Sequence, residues 1–307
     1  MENILVTGGL GFIGSWYVKL LIKEGYYPII IDKNTYAADM NRIKDYNIRL
    51  KIGDIYNKEL IEDIIKKHNI STIVNFAAET HVDRSIQNSD EFINSNFVGV
   101  QNLLEIVRHN NIDRLVQVST DEVYGSIEEG SFKETDRLNP GNPYSACKAG
   151  ADLLALSYHN TYGIDVCITR SSNNYGPFQH REKFIPRMIS LALHRKALEI
   201  YGRGNNVRDW LWVEDNCNAI LIAMKDGISG EIYNISAGNE KNNNEIAKII
   251  SDKFDVGIEY IEDRKGHDYR YSISSRKIWE KLNWKPKKNF YDGLEETINF
   301  YKNGDSL

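Results

Sequence analysis

Runs of apolar and β-branched residues, each followed by a longer stretch of helical periodicity, recur through the first 170 residues of the chain. Ile4 to Val6, Pro28 to Ile31, Thr72 to Phe76, Leu115 to Val118 and Val166 to Thr169 read as strands, being almost unbroken in hydrophobicity and too short for buried helices. Phe92 to Val107 instead repeats its apolar positions at three- and four-residue spacing and predicts a helix. A further strand-like run precedes Asp54. Strands that are apolar on both faces need helices above and below, so the alternation predicts an α/β chain with a doubly wound parallel sheet.

After Arg170 the alternation loosens. A polar stretch reaches Lys183, short helical and strand segments follow, and an amphipathic helix is expected around Tyr291 to Tyr301. The pattern divides the chain into 1–170, carrying the sheet, and 171–307, a smaller portion expected mainly to cap a substrate, with some chain returning to the main sheet. No internal repeat, low-complexity segment or flexible linker interrupts it.

Composition narrows the function. With 307 residues, 41% hydrophobic and 26% charged, the chain can bury a core without disulfide or metal. A net charge of −5 argues against a nucleic-acid surface, which needs clustered Lys and Arg. Cys147, Cys167 and Cys217 are odd in number and far apart, as in a reducing compartment. The start of the chain has no basic region leading into a long apolar one, and no later run approaches a membrane span of about 20 residues, so a cytoplasmic location without membrane contact is expected. The seven histidines show no short metal-ligand spacing, and no metal is expected.

Gly8-x-x-Gly11-x-x-Gly14 follows the first strand. Gly11 lets the backbone approach a pyrophosphate, Gly14 lets the next helix pack closely, and that helix's N-terminus supplies oriented amides. Asp32 ends the second strand, where a carboxylate accepts both ribose hydroxyls and repels a 2′-phosphate; this favours NAD over NADP, although Lys33 weakens the inference. Asp54 reads equally as an adenine contact or a helix cap.

Tyr144 and Lys148 stand one helical turn apart. The spacing is common on ordinary amphipathic helices and gains meaning from the glycines upstream. A phenol titrates near 10, and lowering it by roughly three units takes about 4 kcal/mol, which a nearby Lys⁺ and a nicotinamide cation can supply. Thr120, Asp121 and Glu122 follow the strand Leu115 to Val118, where a doubly wound sheet faces its ligand. Two adjacent acids repel, so one should hold its proton while the other accepts one, unless the segment is simply a solvated turn. Thr120 suits a substrate hydroxyl or a strand-end cap.

Thr7 to Gly14, Ala77 to Ser85, Ser119 to Gly125, Tyr144 to Lys148 and Asn206 to Trp210 together resemble nucleotide-sugar 4,6-dehydratases, those acting on dTDP-glucose above all, a branch of the extended short-chain dehydrogenase/reductase superfamily. The resemblance runs from residue 4 to about residue 300 and implies an extended Rossmann-type fold and a homodimer. It implies that Gly8, Gly11, Phe12, Ile13, Gly14, Asp32, Lys33, Asp54, Ile55, Ala77, Ala78, Tyr144 and Lys148 hold NAD. It implies that Tyr144 deprotonates the sugar 4-hydroxyl as C4 is oxidised, with Thr120 on the same oxygen, that Glu122 removes the C5 proton, and that Asp121 protonates the departing 6-hydroxyl. His81, Ser85, Asn173, Glu182, Lys183, Arg208, Asn243, Arg264 and His267 match substrate positions, several of them toward the nucleotide diphosphate.

Lys265, Tyr269 and the pair His180-Arg181 depart from the usual pattern and bear on which nucleotide and hexose are taken. A UDP-sugar 4,6-dehydratase and a UDP-glucuronate decarboxylase are the related alternatives; the decarboxylase has no leaving hydroxyl for Asp121 to protonate. A non-catalytic NAD-sensing protein would have little need for all four reactive side chains.

Overall fold

The computed structural model describes residues 2–263 and 266–304. Its strands are β1 (Asn3–Thr7), β2 (Tyr27–Asp32), β3 (Arg49–Ile52), β4 (Thr72–Asn75), β5 (Arg114–Thr120), β6 (Val166–Ser171), β7 (Asn173–Tyr175), β8 (Leu198–Tyr201), β9 (Val207–Trp212), β10 (Ile232–Ile235), β11 (Glu240–Asn242) and β12 (Ile258–Ile261). Seven of them form a parallel sheet in the order β10-β6-β5-β4-β1-β2-β3.

The apolar runs are continuous because both faces of this sheet are covered. In β1, Ile4 and Val6 pack with Tyr17, Val18 and Leu21 of the helix Phe12–Lys23 and with Ile220 of the helix Val213–Asp226. Leu5 points the other way, to Leu103 and Leu104 of the helix Gly99–His109 and to Ala151 and Ala155 of the helix Pro143–Tyr162. Each such fully buried aliphatic side chain contributes about 1.5–3 kcal/mol of transfer free energy.

The segment expected as one helix from Phe92 to Val107 is helical but not uniform. A short α-helical stretch, Asp90–Ile93, passes through a π-helical turn, Asn94–Val98, before the helix Gly99–His109. The wider turn carries Asn96 inward, where its amide accepts from Glu79 N at 2.8 Å and donates to Glu79 O at 2.8 Å, fixing the chain after β4. The final helix is Phe290–Lys302.

The second half adds a sheet β11-β9-β7 and a pair β12-β8 around Tyr175, Ile185, Met188, Trp210 and Trp212, and also sends β10 back to pair with β6. Asp209 locks these parts together, accepting from Ser172 Oγ at 2.8 Å, Ala237 N at 2.8 Å and Asn239 N at 2.7 Å. The carboxyl ends of β1, β2, β4, β5 and β6 therefore open side by side toward the second half. No described helix is long and apolar enough to cross a membrane.

Candidate active site

The turn after β1 is built for close approach. Gly8 has φ of +69°, and a Cβ there would lie 2.7 Å from Ala77 N; a Cβ on Gly14 would lie 2.2 Å from Gly8 O. Gly11 caps the helix Phe12–Lys23 without any side-chain hydrogen bond, and its first turn holds no acid, so its amides stay open. Asp32 is buried at the end of β2, its two oxygens accepting from Leu10 N at 2.9 Å and Asn34 N at 2.8 Å; burial raises its pKa against the pull of those amides. Lys33 pairs with Asp54 at 3.2 Å and Glu91 at 3.0 Å, so two carboxylates already balance its charge. Asp54 also accepts from Tyr56 N at 3.1 Å, a turn contact beside its place on the cleft wall.

The helix Pro143–Tyr162 begins with Asn142 and Ser145 capping each other's backbone and Pro143 in its first turn. Ser85 reinforces that start: its hydroxyl donates to Val82 O at 2.6 Å and accepts from Tyr144 N at 3.3 Å. Expected on the substrate, Ser85 is thus engaged in seating the residue beside it. Lys148 is buried one turn on and donates to Val118 O at 2.7 Å. Loss of solvent pushes it down to about 8, with Asp152 pulling the other way. Tyr144 does not have a lowered pKa in the protein's own field. Burial, then Glu122 and Asp121, push it far up, and only Thr120's hydrogen bond opposes them. Loss of solvent is the largest of these causes, and the two nearby acids add to it.

Thr120 Oγ1 donates to Asp121 Oδ1 at 3.2 Å and accepts from Glu122 N at 3.3 Å, capping the turn Asp121–Tyr124. Asp121 is wholly enclosed; burial first, then Glu122's charge, push it up to about 8, against the weaker pull of Arg208. Its Oδ2 is buried without a hydrogen-bond partner among the described residues.

One cleft gathers Gly8, Gly11, Phe12, Ile13, Gly14, Asp32, Lys33, Asp54, Ile55, Ala77 and Ala78 with Thr120, Asp121, Glu122, Tyr144, Lys148, Asn173, Glu182 and Lys183. At its mouth His81 pairs with Glu182 at 3.6 Å, Glu182 accepts from Tyr36 at 3.2 Å, His180 lies 3.5 Å from Glu182, and Lys183 donates to Thr80 O at 2.9 Å. Arg208, Asn243 and His267 belong to a neighbouring cluster. Arg208 donates to the carbonyls of Val207, Asp268 and Tyr269 and lies over the Tyr271 ring, 4.2 Å from its centroid. Asn243 N donates to Asn206 O, and His267 sits 2.7 Å from Asp263. Arg208 and Asp121 are close enough to act on each other electrostatically, so the two clusters adjoin. Arg264 and Lys265 lie outside the described residues. Asn174, which follows Asn173 in the run Asn173 to Pro177, and Gln179 also line the cleft, their side-chain oxygens buried without a partner among the described residues. Nothing in the sequence marked Gln179.

The family model described as GDP-mannose 4,6 dehydratase matches residues 5–297. The chain belongs to this family. It is 45% identical to the low-salt glycan biosynthesis protein Agl12 of Haloferax volcanii over 99% of each chain, and 42% identical to a dTDP-glucose 4,6-dehydratase of Streptomyces niveus over 98% of this chain and 93% of that one. Among solved structures, DesIV of Streptomyces venezuelae, a dTDP-glucose 4,6-dehydratase with NAD and TYD bound, superposes with a TM-score of 0.95 at 42% identity, covering 98% of this chain and 97% of that one.

Proposed function

We propose that the chain is a dTDP-glucose 4,6-dehydratase that keeps one NAD through the whole cycle. The observation that carries this reading is Asp121: a carboxylic acid pushed up to about 8 beside a second acid, in the same cleft as Tyr144 and Lys148. An epimerase or simple dehydrogenase has no leaving hydroxyl for such a group to protonate.

The residues present fit NAD. The uncapped helix start after Gly11 suits a pyrophosphate, and Asp32 retains lone pairs for a ribose once its two amides are counted. Lys33 is held by Asp54 and Glu91, which leaves a 2′-phosphate poorly balanced. Bound NAD would supply the hydride acceptor for C4, the donor for C6, and a positive ring in the same cleft as Tyr144. That charge matters, because burial, with Glu122 and Asp121 adding to it, holds the phenol protonated. Tyr144 then takes the 4-hydroxyl proton while Thr120 bonds the same oxygen. Glu122 removes the C5 proton, acidified by the C4 ketone, and Asp121 delivers its proton to the departing 6-hydroxyl. The division of labour follows the chain: residues 1–170 hold the cofactor and 171–307 mainly the nucleotide sugar, with Asn173, Glu182 and Lys183 in the cleft and Arg208, Asn243 and His267 toward the diphosphate and base. Free cysteines at 147, 167 and 217 support a cytoplasmic setting, and the family resemblance supports a homodimer.

Hydrogen tracing tests the reading. dTDP-glucose deuterated at C4 should give a 4-keto-6-deoxy product deuterated at C6, and the unlabelled sugar in D₂O should gain deuterium at C5 alone. Solvent deuterium at C6, or net release of reduced cofactor matching product, would overturn it.

A further inference from the structure

Behind Lys148 runs a chain of buried polar groups that none of the steps above uses. Tyr144, Lys148 and Asp152 recur at four-residue spacing on one helix, and Asp152 is completely buried. Its Oδ2 accepts from Ser119 Oγ at 3.0 Å, on the residue just before Thr120, and from Arg170 Nε of β6 at 2.8 Å. Its Oδ1 accepts no hydrogen bond among the described residues. Arg170, only 1% exposed, donates through Nη1 to Tyr124 Oη at 2.7 Å, and that hydroxyl donates to Asn234 of β10 at 2.9 Å. Tyr124 closes the turn that begins with Asp121 and Glu122.

A buried ion pair is weak evidence for stability, since well-packed apolar residues serve a core as well or better. This one instead joins the helix bearing Tyr144 and Lys148 to the turn bearing the two acids. We propose that Asp152 and Arg170 are positioning residues for the reaction: the carboxylate keeps Lys148 charged in a site that excludes water, and the guanidinium fixes the carboxylate and, through Tyr124, the acid-bearing turn.

The charged groups facing this centre come from every side. Asp152 lies on the same helix, Asp121 and Glu122 on the turn, Arg170 on β6, and Arg208 on β9 acts through Asp121. The segments packed outside contribute uncharged contacts: Phe92 to Tyr144, Phe97 to Gly150, and Ser85 to the Tyr144 amide. Arg84 of that last segment lies over Tyr36, and Glu105 of the helix Gly99–His109 bonds Tyr158, beyond Asp152 on the same helix.

The proposal rests on reading Tyr144 and Lys148 as the acid–base pair for C4 oxidation, and one experiment separates the two. C4 oxidation is followed in a single turnover, across pH, as reduced cofactor forms. If the redox reading is wrong, the unmodified protein forms none. If it is right, Asp152→Asn removes a negative charge from both partners. Lys148 then loses its proton more readily and the alkaline limb moves down; Tyr144 ionises more readily and the acid limb moves down too. Both limbs should fall by about one unit. The oxidation rate at pH 9 should drop roughly tenfold, while affinity for dTDP stays within twofold. Arg170→Lys, which keeps the charge, should retain the limbs even if the rate falls. Should Asp152→Asn fail to fold, Asp152→Asn with Arg170→Met leaves no unpaired buried charge and should move both limbs in the same direction but by less, because the lost guanidinium offsets part of the lost carboxylate. A folded variant of either kind whose limbs stand where the unmodified protein's stand, whatever its rate, would overturn the proposal.

Discussion

Asp121→Asn should make the protein more stable and almost unable to eliminate water. In the fold Asp121 titrates at about 8, against an ordinary 3.8, so at pH 7 roughly nine-tenths of it carries its proton. The unfolded chain ionises it near 3.8. Between these values the folded state binds more protons than the unfolded one, so stability falls as pH rises through that window. Asn has nearly the same shape, can accept from Thr120 as Asp121 does, and never ionises. The variant should therefore match the unmodified protein near pH 4 and gain a few kcal/mol over it by pH 8, read as a growing difference in Tm or in denaturant midpoint. Asn also has no proton to give. With Tyr144, Lys148 and Glu122 untouched, C4 oxidation should persist while elimination slows by about 10²- to 10⁴-fold, so that reduced cofactor and a 4-keto hexose accumulate in rapid-quench samples. Elimination at the unmodified rate, or a variant that loses stability at pH 8, would show that Asp121 is not the protonated acid.

Other substitutions probe the remaining parts. Gly14→Ala puts a Cβ 2.2 Å from Gly8 O, a backbone atom that cannot swing aside, and should lower Tm by several degrees and strip the protein of cofactor during purification, seen as loss of its nucleotide absorbance. Asp32→Ser should weaken NAD binding by 1–3 kcal/mol, about the value of charged hydrogen bonds, and narrow its margin over NADP in a titration with both; an unchanged preference would remove Asp32 from the ribose. Arg208→Ala should raise the KM for the nucleotide sugar more than it lowers kcat, as loss of a diphosphate contact would, and should also lower Tm because three backbone carbonyls lose their donor. An unchanged KM with lowered Tm would make Arg208 purely structural.

β1, β2, β4, β5 and β6 were legible because both of their faces are buried, and Ile4 to Val6 or Thr72 to Phe76 accordingly show unbroken hydrophobicity. β3 left a fainter trace: as an edge strand it exposes Arg49, Lys51 and Ile52, and its polar positions blur the pattern. The π-helical turn at Asn94–Val98 left none, since one widened turn barely disturbs helical spacing. Tyr144 with Lys148, and Asp121 with Glu122, were visible because a single element sets each spacing. Nothing in the sequence joins Asp152 to Arg170, 18 residues on; only the packing of β6 against the helix reveals them as a pair. The field on Tyr144 was likewise hidden, because it depends on Glu122 and Asp121 approaching through space.

The return of β10 to the main sheet has a consequence for how the chain is made. β6 is synthesised some sixty residues before the strand that covers its outer edge, by the positions of Val166–Ser171 and Ile232–Ile235. Until then the nascent sheet ends in a bare row of amides and carbonyls, a template for another chain. A fragment stopped at residue 170 should therefore precipitate when expressed alone, and supplying residues 171–307 as a separate polypeptide should rescue it by donating the missing strand. The proposed boundary between the cofactor-holding and sugar-holding residues is thus one at which the chain should not tolerate a cut.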